Sequence, residues 1–342
     1  MKVLLTGGTG LAGSHIAELL KKENIPFSAL VRPGSDISFL SSLEIPLIQA
    51  DITDKEQLLK ITDDFDALIH TAAKCSDWGS YDSFYLTNVT GTLNILEFAH
   101  KKGIKNVIIT GSISSYGEEN YKGKKDENSP FNSHYPYFLD KVFPCKMNYY
   151  RDTKALCEKE AIQFAKENKM EITIIEPVWI FGEREFHSGF YEYLKSVKSG
   201  NRFMPGSSKN KFHVIYAGDL ATAYLLALKK GPSGITRYLA GNSCTEFMET
   251  IFSIFCKKAA IPIPKKVPKW LIYPAAFFIE LIYTALNKKN PPPLTRGRVN
   301  MFYDNIEYDV AKIEKELGFK ADTPLEEAIE KTVEWYKENR YL

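Results

Sequence analysis

The sequence has no apolar run of the length that a membrane-spanning helix needs, and it has little net charge. The longest run, Trp270–Leu286, has seventeen residues and contains Pro274 and Glu280, whereas about 20 apolar residues are needed to cross a bilayer. Lysine and arginine number 44 against 42 acidic residues, so a net charge of +2 creates no field that attracts nucleic acid. We therefore expect neither a membrane-spanning helix nor nucleic-acid binding.

Cysteines are also few, and they lack the spacing of a metal site or a redox pair. The five are odd in number, with neither C-x-x-C spacing nor neighbouring histidines. We expect reduced, buried thiols and no bound metal. Because the chain reaches a glycine loop by Gly7, it leaves no room for a signal peptide, and we expect a cytoplasmic protein. The cysteines are Cys75, Cys145, Cys157, Cys244 and Cys256.

A glycine loop separates the first predicted strand from the first predicted helix. An apolar run at residues 3–5 precedes the loop, and a helical pattern covers about residues 12–23. Glycines at this spacing let the backbone approach a pyrophosphate, whose charge lies at the helix N-terminus. The context predicts a dinucleotide site formed by Gly7, Thr9, Gly10, Leu11, Ala12 and Gly13.

Arg32 follows the second predicted strand, at residues 27–31. The adenosine ribose of a dinucleotide lies at the end of that strand, where an acidic residue would favour NAD. A guanidinium instead suits bidentate contact with a 2′-phosphate. We therefore favour NADP over NAD, with a solvent-facing loop arginine as the alternative.

Strands and helices alternate along the first half of the chain. Further strands are predicted at residues 46–48, 67–70, 107–109 and 172–175, with helical patterns such as residues 84–102 between them. This alternation predicts an α/β fold with a doubly wound parallel sheet, the Rossmann fold.

Residues that follow the third and fourth strands are expected to lie near the cofactor. They are Asp51 and Ile52, then Thr71, Ala72 and Ala73. For Asp51 two interpretations stay open, contact with adenine or membership of an acidic cluster explained by a capping box over residues 53–56. His70 is expected to be a core histidine.

Two tyrosine–lysine pairs have the spacing Y-x-x-x-K. They are Tyr137 with Lys141, and Tyr150 with Lys154. Hydride reduction of a carbonyl needs a proton donor, and a lysine one helical turn away places a cation beside the phenol. Pro144 would interrupt a helix that carries the first pair, whereas the second begins a pattern free of proline and glycine to about residue 168. We predict Tyr150 and Lys154 as the proton-transfer pair.

These motifs resemble the extended short-chain dehydrogenase/reductase family over nearly the whole chain. The resemblance rests on the phosphate loop at residues 6–13, the helix segment at residues 88–92 and the serine segment at residues 110–117. It implies that Ser112 is the catalytic serine, although Ser114 and Ser115 lie in the same segment. It also implies that Asn88 lies near the cofactor.

The sequence departs from the family after the sixth strand, where Glu176 stands in place of an arginine. The resemblance implies cofactor contacts by Pro177 and Val178, and it leaves the role of the missing arginine open. It also implies a smaller, mainly helical C-terminal substrate lobe. We expect a Rossmann domain at 1–176 plus about 212–240, and a substrate lobe at 177–211 plus about 241–342.

Two segments bear on the substrate. Residues 117–149 form a long loop whose aromatics either cover the substrate or pack on one another. The run Trp270–Leu286 is predicted to be a helix over an apolar substrate pocket, with peripheral membrane contact through residues 265–289 as the alternative. The sequence leaves a homodimer open. The loop aromatics are Tyr121, Phe131, Tyr135, Tyr137, Phe138 and Phe143.

The apolar lobe and Arg32 together predict an NADP-dependent oxidoreductase that interconverts a ketone and a secondary alcohol on a hydrophobic small molecule. This resembles the 3β-hydroxysteroid dehydrogenase and dihydroflavonol reductase branch of the family. One alternative is an NAD-dependent nucleotide-sugar epimerase or dehydratase, in which Arg202, Arg296 and Arg298 meet a diphosphate. Another is a non-catalytic NADP-sensing protein, against which the intact catalytic residues argue.

Overall fold

The computed structural model describes residues 1–117, 123–186, 189–201, 203–206 and 210–342. The strands in chain order are β1 (Val3–Thr6), β2 (Phe27–Val31), β3 (Leu47–Gln49), β4 (Ala67–His70), β5 (Asn106–Thr110), β6 (Ile172–Pro177), β7 (Trp179–Phe181), β8 (Phe203–Pro205), β9 (Lys211–Phe212), β10 (Val214–Tyr216), β11 (Ile235–Ala240), β12 (Glu246–Phe247) and β13 (Lys265–Val267).

Helices occupy both faces of the sheet and most of the C-terminal third. They are α1 (Leu11–Lys22), α2 (Ser38–Ser42), α3 (Lys55–Leu59), α4 (Tyr81–Phe84), α5 (Gly91–Lys101), α6 (Met147–Glu167), α7 (Gly189–Lys198), α8 (Ala217–Lys230), α9 (Met248–Lys258), α10 (Lys269–Ala285), α11 (Arg296–Tyr303), α12 (Ala311–Leu317) and α13 (Leu325–Glu338), with a π-helical turn at Tyr85–Thr90 and a 3₁₀ turn at Ile113–Tyr116.

A seven-stranded parallel sheet in the order β11-β6-β5-β4-β1-β2-β3 confirms the predicted doubly wound Rossmann fold. The central strands read as continuous apolar runs because both faces of the sheet are covered. The strand order reverses between β1 and β4, and ligands of such sheets bind outside the carboxyl ends of the strands at that point.

Two hydrophobic cores lie on opposite faces of the sheet, because side chains alternate along each strand. Val3 and Leu5 belong to one core with Leu20 of α1, and Leu4 belongs to the other with Leu96 of α5. The helices therefore hold the sheet from both sides and fix the positions of the loops at its carboxyl edge.

The outermost strand on one side, β11, comes late in the chain. It pairs with β6 in parallel, so that Arg237 lies opposite Ile174 and Leu239 lies opposite Glu176. More than fifty residues separate the two strands in sequence.

The apolar run near the C-terminus is helical, as predicted. Helix α10 covers Lys269–Ala285 and includes Pro274 in its second turn. Among the residues that the structure describes, no helix is both long enough and apolar enough to cross a membrane.

Two expectations were wrong. The helical pattern at residues 84–102 is not one α-helix, because the π-helical turn interrupts it before Gly91. The cysteines are all free, but Cys75 and Cys244 are exposed rather than buried. Both exposed cysteines lie in connecting segments, after β4 and before β12, where the chain runs over the surface.

Candidate active site

The glycine loop after β1 packs too tightly for side chains at two of its positions. Gly7 has a φ of +75°, and a Cβ there would lie 2.5 Å from the backbone nitrogen of Ala72. A Cβ on Gly13 would lie 2.1 Å from the carbonyl oxygen of Gly7. By contrast, a Cβ on Gly10 would come no closer than 3.4 Å to that oxygen. Packing within the protein therefore requires Gly7 and Gly13, whereas Gly10 borders open space.

The N-terminus of α1 fits an anionic ligand. Gly10 is its N-cap, no side chain caps it, and its first turn carries no acidic residue. Thr9 is exposed with Gly10, and Leu11 and Ala12 are half-buried. The first N–H groups of a helix have no partner within the helix, and with the helix dipole they favour a phosphate. The residues at this end therefore fit the pyrophosphate of a dinucleotide.

The loop after β4 meets the glycine loop where the strand order reverses. Thr71 Oγ1 donates to the carbonyl oxygen of Thr6 at 2.8 Å, and Ala73 is exposed beyond it. His70 is buried and both of its ring nitrogens are hydrogen-bonded, at 2.6 Å to Thr6 Oγ1 and 3.0 Å to Thr92 Oγ1. Burial, with the nearby charge of Lys154, lowers the pKa of His70 to about 3, so it is a neutral core histidine.

Arg32 is exposed directly after β2, which agrees both with the NADP prediction and with a solvent-facing loop arginine. Asp51 is partly buried, and its carboxylate accepts 2.8 Å hydrogen bonds from the nitrogen and hydroxyl of Thr53. The predicted capping box was displaced by one residue: Asp54 caps α3 and accepts from the nitrogen of Gln57. Thr53 does not cap α3 because its hydroxyl already donates to Asp51.

Ile52 is buried against the start of α5. A Cβ added at Gly91 would lie 2.7 Å from its side chain, and its carbonyl oxygen accepts a hydrogen bond from Asn94 at 2.9 Å. Ile52 therefore fixes the end of the third strand against the helix that follows β4.

Ser112, Tyr150 and Lys154 lie together at the carboxyl edge of the sheet. The Tyr150 hydroxyl lies 3.5 Å from Ser112 Oγ. One turn along α6, the Lys154 ammonium donates to the carbonyl oxygen of Thr110 at 2.6 Å, and this lysine is 4% exposed. The sequence separates Ser112 from the pair by 38 residues, and the end of β5 and the start of α6 bring them together.

The neighbouring serines, Ser114 and Ser115, bind Ser112 and Glu158 respectively and do not take the position of Ser112. Ser112 is the N-cap of the 3₁₀ turn, and its Oγ accepts from Ser114 Oγ at 2.8 Å and from the Ser114 nitrogen at 3.2 Å. Ser115 donates instead to Glu158 at 2.7 Å. Ser112 is thus the serine of this segment that faces Tyr150.

The competing pair, Tyr137 and Lys141, does not lie on a helix. It spans non-helical and turn residues ahead of Pro144, and α6 begins only at Met147. Tyr137 is buried and its ring packs on Tyr135 with a centroid distance of 4.6 Å. The helix boundary therefore separates the two pairs as the proline predicted.

The loop before α6 is bound to the first turns of that helix. Asn148 exchanges hydrogen bonds with the backbone of Tyr135, and Arg151 Nε donates to the carbonyl oxygen of Ser133 at 2.7 Å. His134 lies between Asp152 and Asp140, at 2.7 and 2.9 Å. These contacts hold the helix that carries Tyr150.

The aromatics of the long loop mostly pack on protein. Phe131 packs on Tyr116, and Phe138 and Phe143 both pack on Phe277 of α10. Tyr121 lies outside the described residues.

Asn88 lies in the π-helical turn and joins the loop after β4 to α6. Its Oδ1 accepts from the nitrogen of Lys74 at 2.7 Å, and its Nδ2 donates to Thr153 Oγ1 at 3.2 Å. With 1% exposure, Asn88 directs its amide to protein partners and positions the elements on either side of the site. A π-helical turn is frequent at functional sites.

Two residues behind Ser112, Glu158 and Arg237, were missed by sequence reasoning. Glu158 accepts from the Ser112 nitrogen at 2.9 Å, and Glu176 binds the Arg237 guanidinium at 2.6 and 3.1 Å. Burial first, and the neighbouring Glu158 second, raise the pKa of Glu176 well above its ordinary value despite Arg237. The sequence showed that Glu176 replaces an arginine of the family. It did not show that the guanidinium bound to Glu176 comes from Arg237 on β11.

Pro177 and Val178 close the carboxyl end of β6 and are both buried. The nitrogen of Val178 donates to the carbonyl oxygen of Ala240 at 2.9 Å. Both residues are packed at this edge, and their contact with a cofactor stays a prediction.

Cys75 is a further neighbour of Tyr150 that the sequence did not reveal. Although the residue as a whole is exposed, its thiol forms a hydrogen bond with Tyr150 and therefore borders the reacting group.

The arginines expected to meet a diphosphate are already engaged. Arg296 is fully buried, and its guanidinium donates to both oxygens of Glu280 at 2.9 and 3.0 Å. Arg298 makes a bidentate pair with Asp77 at 2.5 and 2.9 Å. Arg202 lies outside the described residues. The diphosphate contact was predicted only for the epimerase alternative, and internal carboxylates hold both side chains instead.

Comparison with known proteins places this site in a family. The model of the "NAD dependent epimerase/dehydratase family" matches residues 3–241. A putative dihydroflavonol 4-reductase of Synechocystis sp. is 27% identical over 350 residues, which covers 99% of this chain and 95% of the relative. An N-acetyl-alpha-D-glucosaminyl-diphospho-ditrans,octacis-undecaprenol 4-epimerase of Escherichia coli O157:H7 is 26% identical, with coverage of 97% and 94%.

Among solved structures, a UDP-glucose 4-epimerase of Thermotoga maritima shares the fold. Its TM-score is 0.78 at 19% identity, with 99% of this chain and 100% of that chain covered. Reductases and epimerases therefore share this fold, and identity alone does not choose between the two reactions.

Proposed function

Because this chain belongs to the NAD dependent epimerase/dehydratase family, we propose that it is an NADP-dependent oxidoreductase that interconverts a ketone and a secondary alcohol on a hydrophobic small molecule. The observation that carries the proposal is the meeting of the Tyr150 and Ser112 hydroxyls at 3.5 Å on the carboxyl edge of the sheet. Two hydroxyls at that distance can both reach one carbonyl oxygen.

Each of the three residues has a separate task. A dinucleotide held at the N-terminus of α1 would supply or accept the hydride. Ser112 holds the substrate oxygen, with its own hydroxyl oriented by Ser114. Tyr150 gives its proton to that oxygen in reduction and takes the proton back in oxidation.

Lys154 supports the proton transfer from the next turn of α6. Its ammonium lies on the same helix face as Tyr150 and is fixed by the carbonyl oxygen of Thr110. A cation beside a phenol favours the phenolate that remains when the proton has left. The same ammonium is the group that we assign to the nicotinamide ribose.

The preference for NADP rests on charges after β2 and β3. Arg32 is exposed at the end of β2, and the Asp51 carboxylate after β3 is engaged by Thr53. A 2′-phosphate there gains an arginine partner.

The proposal favours reduction over sugar-nucleotide epimerisation for a structural reason. Arg296 and Arg298 are bound to Glu280 and Asp77 and do not offer free cations to a diphosphate. The Synechocystis relative is named a putative dihydroflavonol 4-reductase, and that name agrees with reduction rather than epimerisation.

Extraction of the purified protein tests the proposal directly. We expect protein without retained nucleotide that binds NADPH reversibly, as judged by absorbance and fluorescence titration. Stoichiometric NAD that survives purification would instead support an epimerase, which recycles its cofactor within one catalytic cycle.

A further inference from the structure

Helix α10 has the reverse of the polarity expected for a surface helix. Its outward face is entirely apolar, whereas its one acidic residue, Glu280, points inward and is 1% exposed. Trp270 is 75% exposed and Phe278 is 59% exposed. The exposed residues recur every three or four positions and so form one stripe; they are Trp270, Leu271, Pro274, Ala275, Phe278, Leu281, Ile282, Ala285 and Leu286.

A turn from the long loop extends this stripe. The Phe138 ring packs on Phe277 at a centroid distance of 5.4 Å, and the backbone nitrogen of Phe138 donates to the Tyr273 hydroxyl at 3.3 Å. Arg296 donates to the carbonyl oxygens of Phe138 and Phe143. This turn exposes Phe138, Leu139 and Val142, the last at 83%. We call the α10 stripe and this turn, residues 138–142, the docking face.

Lysines flank the docking face, and the acidic residue within its turn, Asp140, is buried and hydrogen-bonded to His134. Lys265 lies before α10, Lys288 and Lys289 lie after it, and Lys141 lies in the turn; all four are exposed. Between residues 259 and 303 the sequence contains a single acidic residue, Glu280, whose charge is matched by Arg296. The face is thus an apolar stripe with a basic border.

We propose that the docking face binds the surface of an anionic lipid bilayer. An apolar helix face bordered by lysines lies in the interface plane, where the side chains enter the acyl boundary and the lysines meet anionic headgroups. Exposed contiguous apolar surface of this kind marks an interaction site. The lysines complement such a surface at both ends of α10.

A second copy of the chain fits the face less well. A two-fold axis through the middle of α10 would bring the Lys265 end of one helix against the Lys288 and Lys289 end of the other. Like charges would then meet at both ends, and such juxtaposition disfavours association. The bilayer is therefore the occupant that the charges select.

Docking would also place the catalytic helix beside the bilayer. The turn of the docking face leads through Cys145 directly into α6, which begins at Met147 and carries Tyr150 three residues later. This part of the inference rests on the proposed function, because it gives a hydrophobic substrate a route from the acyl region. Vesicle binding itself needs neither cofactor nor substrate.

Vesicle co-sedimentation of the full chain tests the proposal. The probes are phosphatidylcholine vesicles with and without phosphatidylglycerol, at low and high salt. We expect binding to the anionic vesicles that weakens with salt, and a loss of about tenfold or more in the variant Leu271→Ser/Phe278→Ser/Ile282→Ser. Lys288→Glu/Lys289→Glu should weaken binding to anionic vesicles only.

The matched control removes exposed apolar side chains elsewhere. Ile37, Leu59 and Leu86 are 38%, 41% and 49% exposed and lie outside the docking face, so replacing all three with serine should leave vesicle binding unchanged. Circular dichroism and thermal melting check that each variant is folded. If the wild-type protein did not bind vesicles, the proposal would be overturned. This holds for a monomeric protein, and also for a dimer that the triple α10 variant dissociates. Equal losses in the triple variant and its control would overturn it too.

Discussion

The Tyr150 hydroxyl and the Ser112 hydroxyl meet at 3.5 Å although they come from different elements, the start of α6 and the 3₁₀ turn after β5. Replacing Tyr150 with phenylalanine removes the proton donor and keeps the ring. We expect turnover to fall by about 10²–10⁴-fold with NADPH affinity unchanged, measured by steady-state kinetics and fluorescence titration. Tyr137→Phe is the control, because Tyr137 has the same spacing to a lysine but packs on Tyr135. Full turnover in the Tyr150 variant would refute the assignment.

Arg32→Asp tests the cofactor preference. The change removes a cation from the end of β2 and adds an anion, so NADPH affinity should fall by about 10–100-fold, while NADH affinity changes little. Titration with each nucleotide measures both. Arg340→Asp is the control, since Arg340 is also exposed but lies at the far end of the chain. Equal losses for both nucleotides would mean that Arg32 does not read the 2′-phosphate.

Alanine substitutions at Gly13 and Gly10 should have different effects, because Gly13 packs on the protein whereas Gly10 faces the expected dinucleotide. Gly13→Ala forces a Cβ toward the Gly7 carbonyl oxygen, so the free energy of unfolding of the free protein should fall by about 1–3 kcal/mol. Gly10→Ala has room and a permitted φ of −89°, and it should leave that free energy within about 0.5 kcal/mol yet weaken dinucleotide binding. Urea unfolding and titration distinguish the two. If Gly10→Ala bound NADPH normally, the pyrophosphate would lie elsewhere.

Stability should depend on pH through Glu176. The pKa of this buried carboxyl is raised, so the folded chain holds a proton that the unfolded chain releases. The contribution of Glu176 to the free energy of unfolding is therefore fully present below pH about 4.5 and is lost as the pH rises through the folded pKa. Glu176→Gln mimics the protonated form, and its stability relative to wild type should increase as the pH rises from about 4.5 to about 8.

Urea unfolding at several pH values checks this, with the exposed Glu338→Gln as control. Parallel curves for wild type and Glu176→Gln would show that the carboxyl titrates normally.

The buried pair of Arg296 and Glu280 should contribute more to the free energy of unfolding than the partly exposed pair of Arg298 and Asp77. Arg296→Leu leaves the Glu280 carboxylate buried without its cation, which costs about 3–5 kcal/mol, and it releases the carbonyl oxygens of Phe138 and Phe143. Arg298→Leu should cost less, because the Arg298 side chain is 27% exposed to water. Thermal and urea unfolding compare the two variants. A larger loss for Arg298→Leu would contradict the role given to the buried pair.

The sequence predicted the parts of the site that local patterns determine. The spacing of Gly7, Gly10 and Gly13 after an apolar run placed the nucleotide loop, and Pro144 separated the two tyrosine–lysine pairs. Both inferences depend on a few neighbouring residues whose geometry follows from one turn or one helix.

The parts that escaped prediction depend on distant pairing. Arg237 lies 61 residues beyond Glu176 and reaches it only because β11 joins the sheet beside β6. Arg298 and Asp77 are 221 residues apart, so no local pattern shows that this cation is engaged. The interruption before Gly91 likewise has no periodic signal, since a π-helical turn differs from an α-helix by one residue per turn.

Because β11 lies far along the chain, the sheet cannot be completed until late in translation. A chain emerging from the ribosome has made six strands of the sheet by residue 177, but the free edge of β6 has no neighbour until residues 235–240 follow. An open strand edge recruits other chains, and folding intermediates of large proteins aggregate through such edges. During that interval the buried carboxyl of Glu176 also lacks its guanidinium. Translation of the intervening segment is thus the period in which the nascent protein is most exposed to misassembly.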